Sequence, residues 1–206
     1  MKTLLHLVAS PRGEASSTLK ISQSVIARFK EQNPDGRVDT LDLFVEDIPA
    51  VTVKVTEGKY QLLSGKELND KTRPAWEPVI KQIKRFQDAN IVLISSPMWN
   101  FGMPYVLKHY FDVIMQPSYL FRYTATGPEG LAKGKKVIVA TSRGGDYSEG
   151  PAKAMDNLEP SLRTMLGFIG ITDPTFINAQ PMIAAGPDVA AQKLTQAVSI
   201  ANKLVF

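Results

Sequence analysis

Three stretches of this chain are apolar almost without interruption: Thr3–Ala9, Ile91–Ile94 and Val137–Ala140. A strand with one wet face alternates apolar and polar residues. A run without alternation is buried on both faces, the habit of strands in a parallel sheet layered by helices. Phe176–Ile177 is a shorter run of the same kind, and Val38–Leu43, after the turn Asn33-Pro34-Asp35-Gly36, is a weaker strand. The gaps between them carry helical spacing. Ile21, Val25, Ile26 and Phe29 share a face, as do Val79, Ile80, Ile83 and Phe86. Val106, Leu107, Tyr110, Phe111 and Ile114 repeat it, then Met155, Leu158, Leu162, Met165 and Ile169, then Leu194, Ala197, Val198, Ala201 and Val205. Strand and helix in alternation mean an α/β fold, a doubly wound parallel sheet with helices on both faces.

No internal repeat, low-complexity tract or linker divides the chain, so residues 1–206 are expected to form one domain. Two connections are longer than such a fold requires. Ala50–Lys71 is expected to be an excursion with its own short helix, and Pro117–Lys136 is rich in Gly and aromatics.

Composition narrows the chemistry. With no cysteine, disulfides, thiolate metal sites and thiol nucleophiles are excluded. A net charge of +4 with one small cluster, Lys133, Lys135 and Lys136, argues against nucleic-acid binding and suits small anionic ligands. The first apolar run is too short for a signal sequence and is broken by His6. No stretch reaches the ~18 apolar residues of a membrane span, so a cytoplasmic protein without membrane contact is expected. No GxGxxG or GxxxxGK[ST] is present, Gly145–Gly150 has the wrong spacing for GxSxG, and Asp42 and Asp112 lack carboxylate neighbours for a metal. The two histidines, His6 within the first strand and His109 on a helix, read as structural.

Ligands in open α/β sheets bind beyond the carboxyl ends of the strands. Here those ends carry Ser10-Pro11-Arg12…Ser16-Ser17-Thr18, then Pro97-Met98-Trp99-Asn100-Phe101-Gly102, then Ser142-Arg143-Gly144-Gly145-Asp146-Tyr147. The first loop fits a phosphate at a helix N-terminus; the alternative is that Ser16 or Ser17 is only an N-cap. The second offers an apolar wall with one amide, suited to an aromatic heterocycle, or a lid over the following helix. The third lets backbone N–H groups approach a ligand, or is a plain turn.

With these loops, and with Leu107-Lys108-His109-Tyr110-Phe111-Asp112, Phe121–Thr124, Gly127–Leu131 and Leu166–Ile171, the chain resembles the FMN-dependent NAD(P)H azoreductase/quinone reductase family of flavodoxin-like fold. The resemblance implies a five-stranded sheet of order 2-1-3-4-5. It implies non-covalent FMN with its phosphate at Ser10, Arg12 and Ser16–Thr18, its ring along Pro97–Phe101, and its pyrimidine edge at Ser142–Gly145. NADH or NADPH would reduce it, and quinones or azo compounds would accept the electrons in ping-pong order. A homodimer is implied too, with Phe121 shaping the acceptor pocket. Trp99 stands where the family commonly has Tyr, and Tyr147 follows the glycine pair as a candidate proton donor. A flavodoxin-type electron carrier is the alternative; its usual acidic docking surface does not match this basic chain.

Overall fold

The computed structural model describes residues 1–206. Seven strands form: β1 (Thr3–Val8), β2 (Arg37–Asp42), β3 (Ile91–Pro97), β4 (Phe121–Thr124), β5 (Gly127–Gly130), β6 (Lys136–Ser142) and β7 (Thr175–Ala179). Six α-helices accompany them: α1 (Ser17–Gln32), α2 (Val53–Leu63), α3 (Arg73–Asp88), α4 (Tyr105–Ile114), α5 (Leu158–Phe168) and α6 (Pro187–Ala201). The main sheet is parallel with order β2-β1-β3-β6-β7. This is the expected 2-1-3-4-5, because β4 and β5 pair only with each other as an antiparallel hairpin. No helix is long and apolar enough to cross a membrane.

The unalternating runs follow from two cores. Leu5, Leu7, Val92, Ile94, Val137 and Val139 face α3, α4 and α5 in one cluster, while Leu4, Ile91, Leu93, Ile138 and Ala140 face α1 and α6 in another. Successive side chains point to opposite faces, so both sets must be apolar. Fully burying each such side chain contributes about 1.5–3 kcal/mol.

The structure moves several boundaries. β3 and β6 run past their apolar cores through Ser95–Pro97 and Thr141–Ser142, because each strand supplies the other's hydrogen bonds there: Ser96 is opposite Thr141 and Pro97 opposite Ser142. Met155 is not on the α5 face. It ends a 3-10 turn and is exposed, since Asp156 Oδ1 accepts from the Leu158 and Glu159 amides (2.9 and 3.2 Å) and starts the helix there. Val205 lies beyond the end of α6 and is exposed.

The expected excursion contains α2, capped by Thr52 and seated on α3: the Trp76 indole N–H donates to the Val55 carbonyl at 3.0 Å. The second long connection is the β4–β5 hairpin. Gly130 lies so close to α5's end that a Cβ there would stand 2.1 Å from the Gly170 nitrogen.

Candidate functional site

Hydrogen bonds between distant residues join the strand ends. The Ala9 amide donates to the Ser95 carbonyl, the Met98 amide to the Ser142 carbonyl (both 2.9 Å), and the Arg143 amide to the Ala179 carbonyl (3.0 Å). Thr18 Oγ1 and Ser142 Oγ are 2.6 Å apart, which ties the start of α1 to the end of β6. Between them lies a cleft of about 610 Å³, lined by Arg12, Ser17, Pro97, Met98, Trp99, Ser142, Arg143 and Gly144 from the expected set. That size is in the range of ~300–1,000 Å³ typical of small-molecule sites.

At the α1 end, both readings of the serine-rich loop find a place. Ser16 is the N-cap: its Oγ accepts from the Leu19 amide (3.3 Å) and from Ser10 Oγ (2.8 Å), and its carbonyl accepts from the Lys20 amide. Ser10 and Ser16 are each 3% exposed, so their hydroxyls build the cap rather than face the cleft. The amides of Ser17 and Thr18 donate to nothing within the chain, leaving two N–H groups at the positive end of a 16-residue helix. Arg12 is exposed beside them. Thr18 is fully buried and Ser142 is the only partner of its hydroxyl. With Thr18 as the donor of that bond, the Ser142 proton is left for whatever enters the cleft.

At the other end, Trp99–Gly102 is a tight turn closed by two reciprocal backbone bonds of 2.9 Å. Asn100 and Phe101 have φ of 46° and 69°, in the left-handed region. Asn tolerates that conformation; a Phe there is strained by about 1–3 kcal/mol. The Asn157 amide donates to the Phe101 carbonyl at 2.8 Å and holds the turn. As a result Asn100 and Phe101 stand exposed at its tip, while Met98 packs on the larger core. Trp99 leans on Phe44 (centroids 5.8 Å), which meets Tyr105 edge-on (6.0 Å); Phe101 meets Tyr147 edge-on (6.3 Å).

The glycine loop also offers donors. The Gly144 and Gly145 amides have no partner within the chain, whereas the Gly144 carbonyl accepts from Ile183 and Ala184 (3.0 Å each). Neither glycine has positive φ. A Cβ at Gly145 would stand 3.2 Å from the half-buried Tyr147 ring, which would have to give by a few tenths of an ångström. The Tyr147 amide donates to Gln180 Oε1 (3.0 Å).

Arg143 departs from expectation. Its side chain is fully buried and turned inward, donating to Thr141 Oγ1 (2.6 Å) and Asp156 Oδ2 (2.8 Å), so only its backbone meets the cleft. Phe121 is 5% exposed, packs on Phe168 (4.8 Å) and lines a separate groove with Leu63, Met115 and Tyr123 rather than the cleft of its own chain. The aromatics of this connection fold back on the chain, with Leu120 buried, Tyr119 stacked on Trp76, and Tyr123 left 65% exposed. His109 is structural, donating from Nε2 to the Pro49 carbonyl (3.1 Å).

Sequence reasoning missed Met182, Ile183 and Leu194, which close the cleft's far wall. Gln180-Pro181-Met182-Ile183 follows β7, so the strand-end rule applied to the fifth strand would have found the first two.

A family profile described as flavodoxin-like fold matches residues 2–205. The FMN-dependent NADH:quinone oxidoreductase of Nitratidesulfovibrio vulgaris (strain DP4) is 38% identical over 207 residues, covering 100% of this chain and 99% of that one. Its namesake in Hyphomonas neptunium (strain ATCC 15444) is 40% identical over 204 residues, covering 96% and 92%. Among solved structures, an azoreductase from Bacillus anthracis str. Sterne superposes with a TM-score of 0.87 at 31% identity, covering 99% and 100%. An FMN-dependent NADH-azoreductase from Bacillus anthracis str. Ames Ancestor in complex with FMN gives 0.86 at 25% identity, with both chains fully covered.

Proposed function

The chain belongs to the family of FMN-dependent NADH:quinone oxidoreductases and azoreductases of flavodoxin-like fold, and we propose from that premise how its own cleft does this work. It is an enzyme that uses NADH and FMN to reduce quinones or azo compounds. The residues present fit FMN, since the cleft has unpartnered amide pairs at two places and an apolar wall between loops. When bound, FMN supplies a two-electron centre that takes hydride from NADH and releases the electrons to an acceptor.

The chain's contribution is placement and charge. The Ser17 and Thr18 amides, with the α1 dipole and Arg12, hold the phosphate. The Ser142 hydroxyl would donate a hydrogen bond to the cofactor. Met98, Trp99 and the strained turn at Asn100–Phe101 wall the ring. The Gly144 and Gly145 amides face its polar edge, where preorganised N–H groups stabilise developing negative charge. Tyr147, beside Phe101 and Gln180, is the candidate proton donor to a reduced acceptor. NADH and acceptor use one open face in turn, which gives ping-pong kinetics.

The observation that carries this reading is the pairing of free amides at Ser17–Thr18 and Gly144–Gly145 across loops tied by Thr18 and Ser142. Purified protein should be yellow and oxidise NADH with a quinone without any partner reductase; a partner requirement would favour the electron-carrier alternative. Ser17→Glu sets a carboxylate against the phosphate and should weaken FMN binding by on the order of several kcal/mol. Unchanged affinity by flavin-fluorescence titration would refute the phosphate assignment.

A further inference from the structure

A polar chain crosses the core beneath α1. His6 is 6% exposed, and Ser22, Ser95 and Thr18 are fully buried. His6 Nε2 lies 2.7 Å from Ser95 Oγ, and Ser95 Oγ lies 2.5 Å from Ser22 Oγ. Ser22 Oγ donates to the Thr18 carbonyl at 3.2 Å.

A hydroxyl has one proton to give. With the Ser22 proton on the Thr18 carbonyl, Ser22 accepts from Ser95 and Ser95 accepts from a His6 ring protonated on Nε2; in this arrangement every donor points toward the first turn of α1.

Stability alone does not account for such a chain. Replacing both partners of a buried hydrogen bond by apolar groups of similar shape is often nearly neutral. A row of alanines and a leucine would fill the same space beside Leu4, Leu93 and Val25. What distinguishes this chain is where it ends. Thr18 is gripped at its carbonyl by Ser22 and at its hydroxyl by Ser142, and its amide is one of the two free donors of the anion site.

We propose that His6 is a positioning residue for phosphate binding: it touches no ligand, but through Ser95 and Ser22 it locks Thr18, and so fixes at the cleft wall the first turn of α1, with the free Ser17 amide, and the Ser142 hydroxyl bonded to Thr18. This rests on the reading of the cleft as the FMN site. A donor fixed before the ligand arrives loses less freedom on binding.

The full-length protein is tested as Ser22→Ala, His6→Leu and His6→Gln, with FMN affinity and release rate read by flavin fluorescence. Ser22→Ala removes the last link without harming helix propensity. It and His6→Leu should each weaken FMN about 3- to 10-fold, as loss of one organising hydrogen bond does. His6→Gln, which returns an N–H donor of similar reach, should recover most of that loss. The double variant Ser22→Ala/His6→Leu should bind no worse than the weaker single one, since both break one relay. Histidine ring nitrogen spectra of the FMN-loaded protein should show His6 as the neutral Nε2–H tautomer. Equal FMN affinity in wild type, Ser22→Ala and His6→Leu, or a ring protonated on Nδ1, would overturn the proposal while leaving the FMN site standing. A wild type that takes up no FMN would instead remove the reading on which both depend.

Discussion

His6 titrates far from its solution behaviour, because burial in the core lowers its pKa from 6.5 to about 4. The unfolded chain gains that proton below pH ~6.5 and the folded chain only near 4, so the neutral ring's contribution to stability is complete above 6.5 and is lost as pH falls through that window. The loss is on the order of 3 kcal/mol at the acid end. Urea denaturation at pH 7.5 and 4.5 should show it in the wild type, and His6→Gln should show a smaller difference between the two pH values. Other groups, such as the Asp39 carboxyl held low by Arg85, cancel in that comparison. Equal pH dependence in both proteins would refute the assignment. Phe101 stores energy in its backbone. Phe101→Gly relieves the left-handed strain but frees the unfolded chain, for a net gain of up to about 1 kcal/mol. That corresponds to a Tm rise of about 2–4 °C for a chain of this length. Turnover should fall if Phe101 walls the bound flavin as proposed. A lower Tm would mean the turn is relaxed with Phe in place.

Among the elements, the β4–β5 hairpin depends on backbone-to-backbone contact. Gly130 and Gly170 meet where no side chain fits, with Gly170 at φ +98°. The Ala132 amide donates to the Ile169 carbonyl (2.8 Å) and continues the junction. Gly130→Ala should push the hairpin off α5 and destabilise by about 1–3 kcal/mol, as overpacking does. The measurement is urea denaturation beside Gly134→Ala, a glycine with open space around it whose penalty comes from its positive φ alone. Equal losses would show that the junction gives way freely. Arg143 lines the cleft through its backbone. Its guanidinium joins the Asp156 carboxylate at the start of α5 to the end of β6, and so it orients the glycine loop from behind.

At the scale of the whole molecule, exposed apolar surface gathers beside α4. Tyr105 is 70% and Tyr123 65% exposed. A groove of about 400 Å³ lined by Leu63, Met115 and Phe168 shares Lys108 and Asp112 with a depression of about 760 Å³ reaching Trp99 and Asn100. Patches of this kind usually mark an interface. The proposed homodimer would bury this surface on both copies about a two-fold axis and add a wall to the cleft. Tyr105→Glu/Tyr123→Glu should give a monomer by light scattering with a raised quinone KM; a wild type that is monomeric and fully active would exclude the dimer. Phe121 lines the same groove beside Tyr123 and Phe168, on the face this dimer would bury. The sequence alone determined the layers and the edge at which polar loops collect, because unalternating runs and strand-end placement follow from local periodicity and chain direction; the strand order came from the family resemblance. Only the tertiary structure decided which polar groups face a ligand. Ser10 and Ser16 turned to each other, Thr18 to Ser142 at a separation of 124 residues, and His6 to Ser95 at 89. A buried hydroxyl is claimed by whichever partner the fold brings within 3 Å, and nothing in the spacing of residues along the chain says which partner that will be.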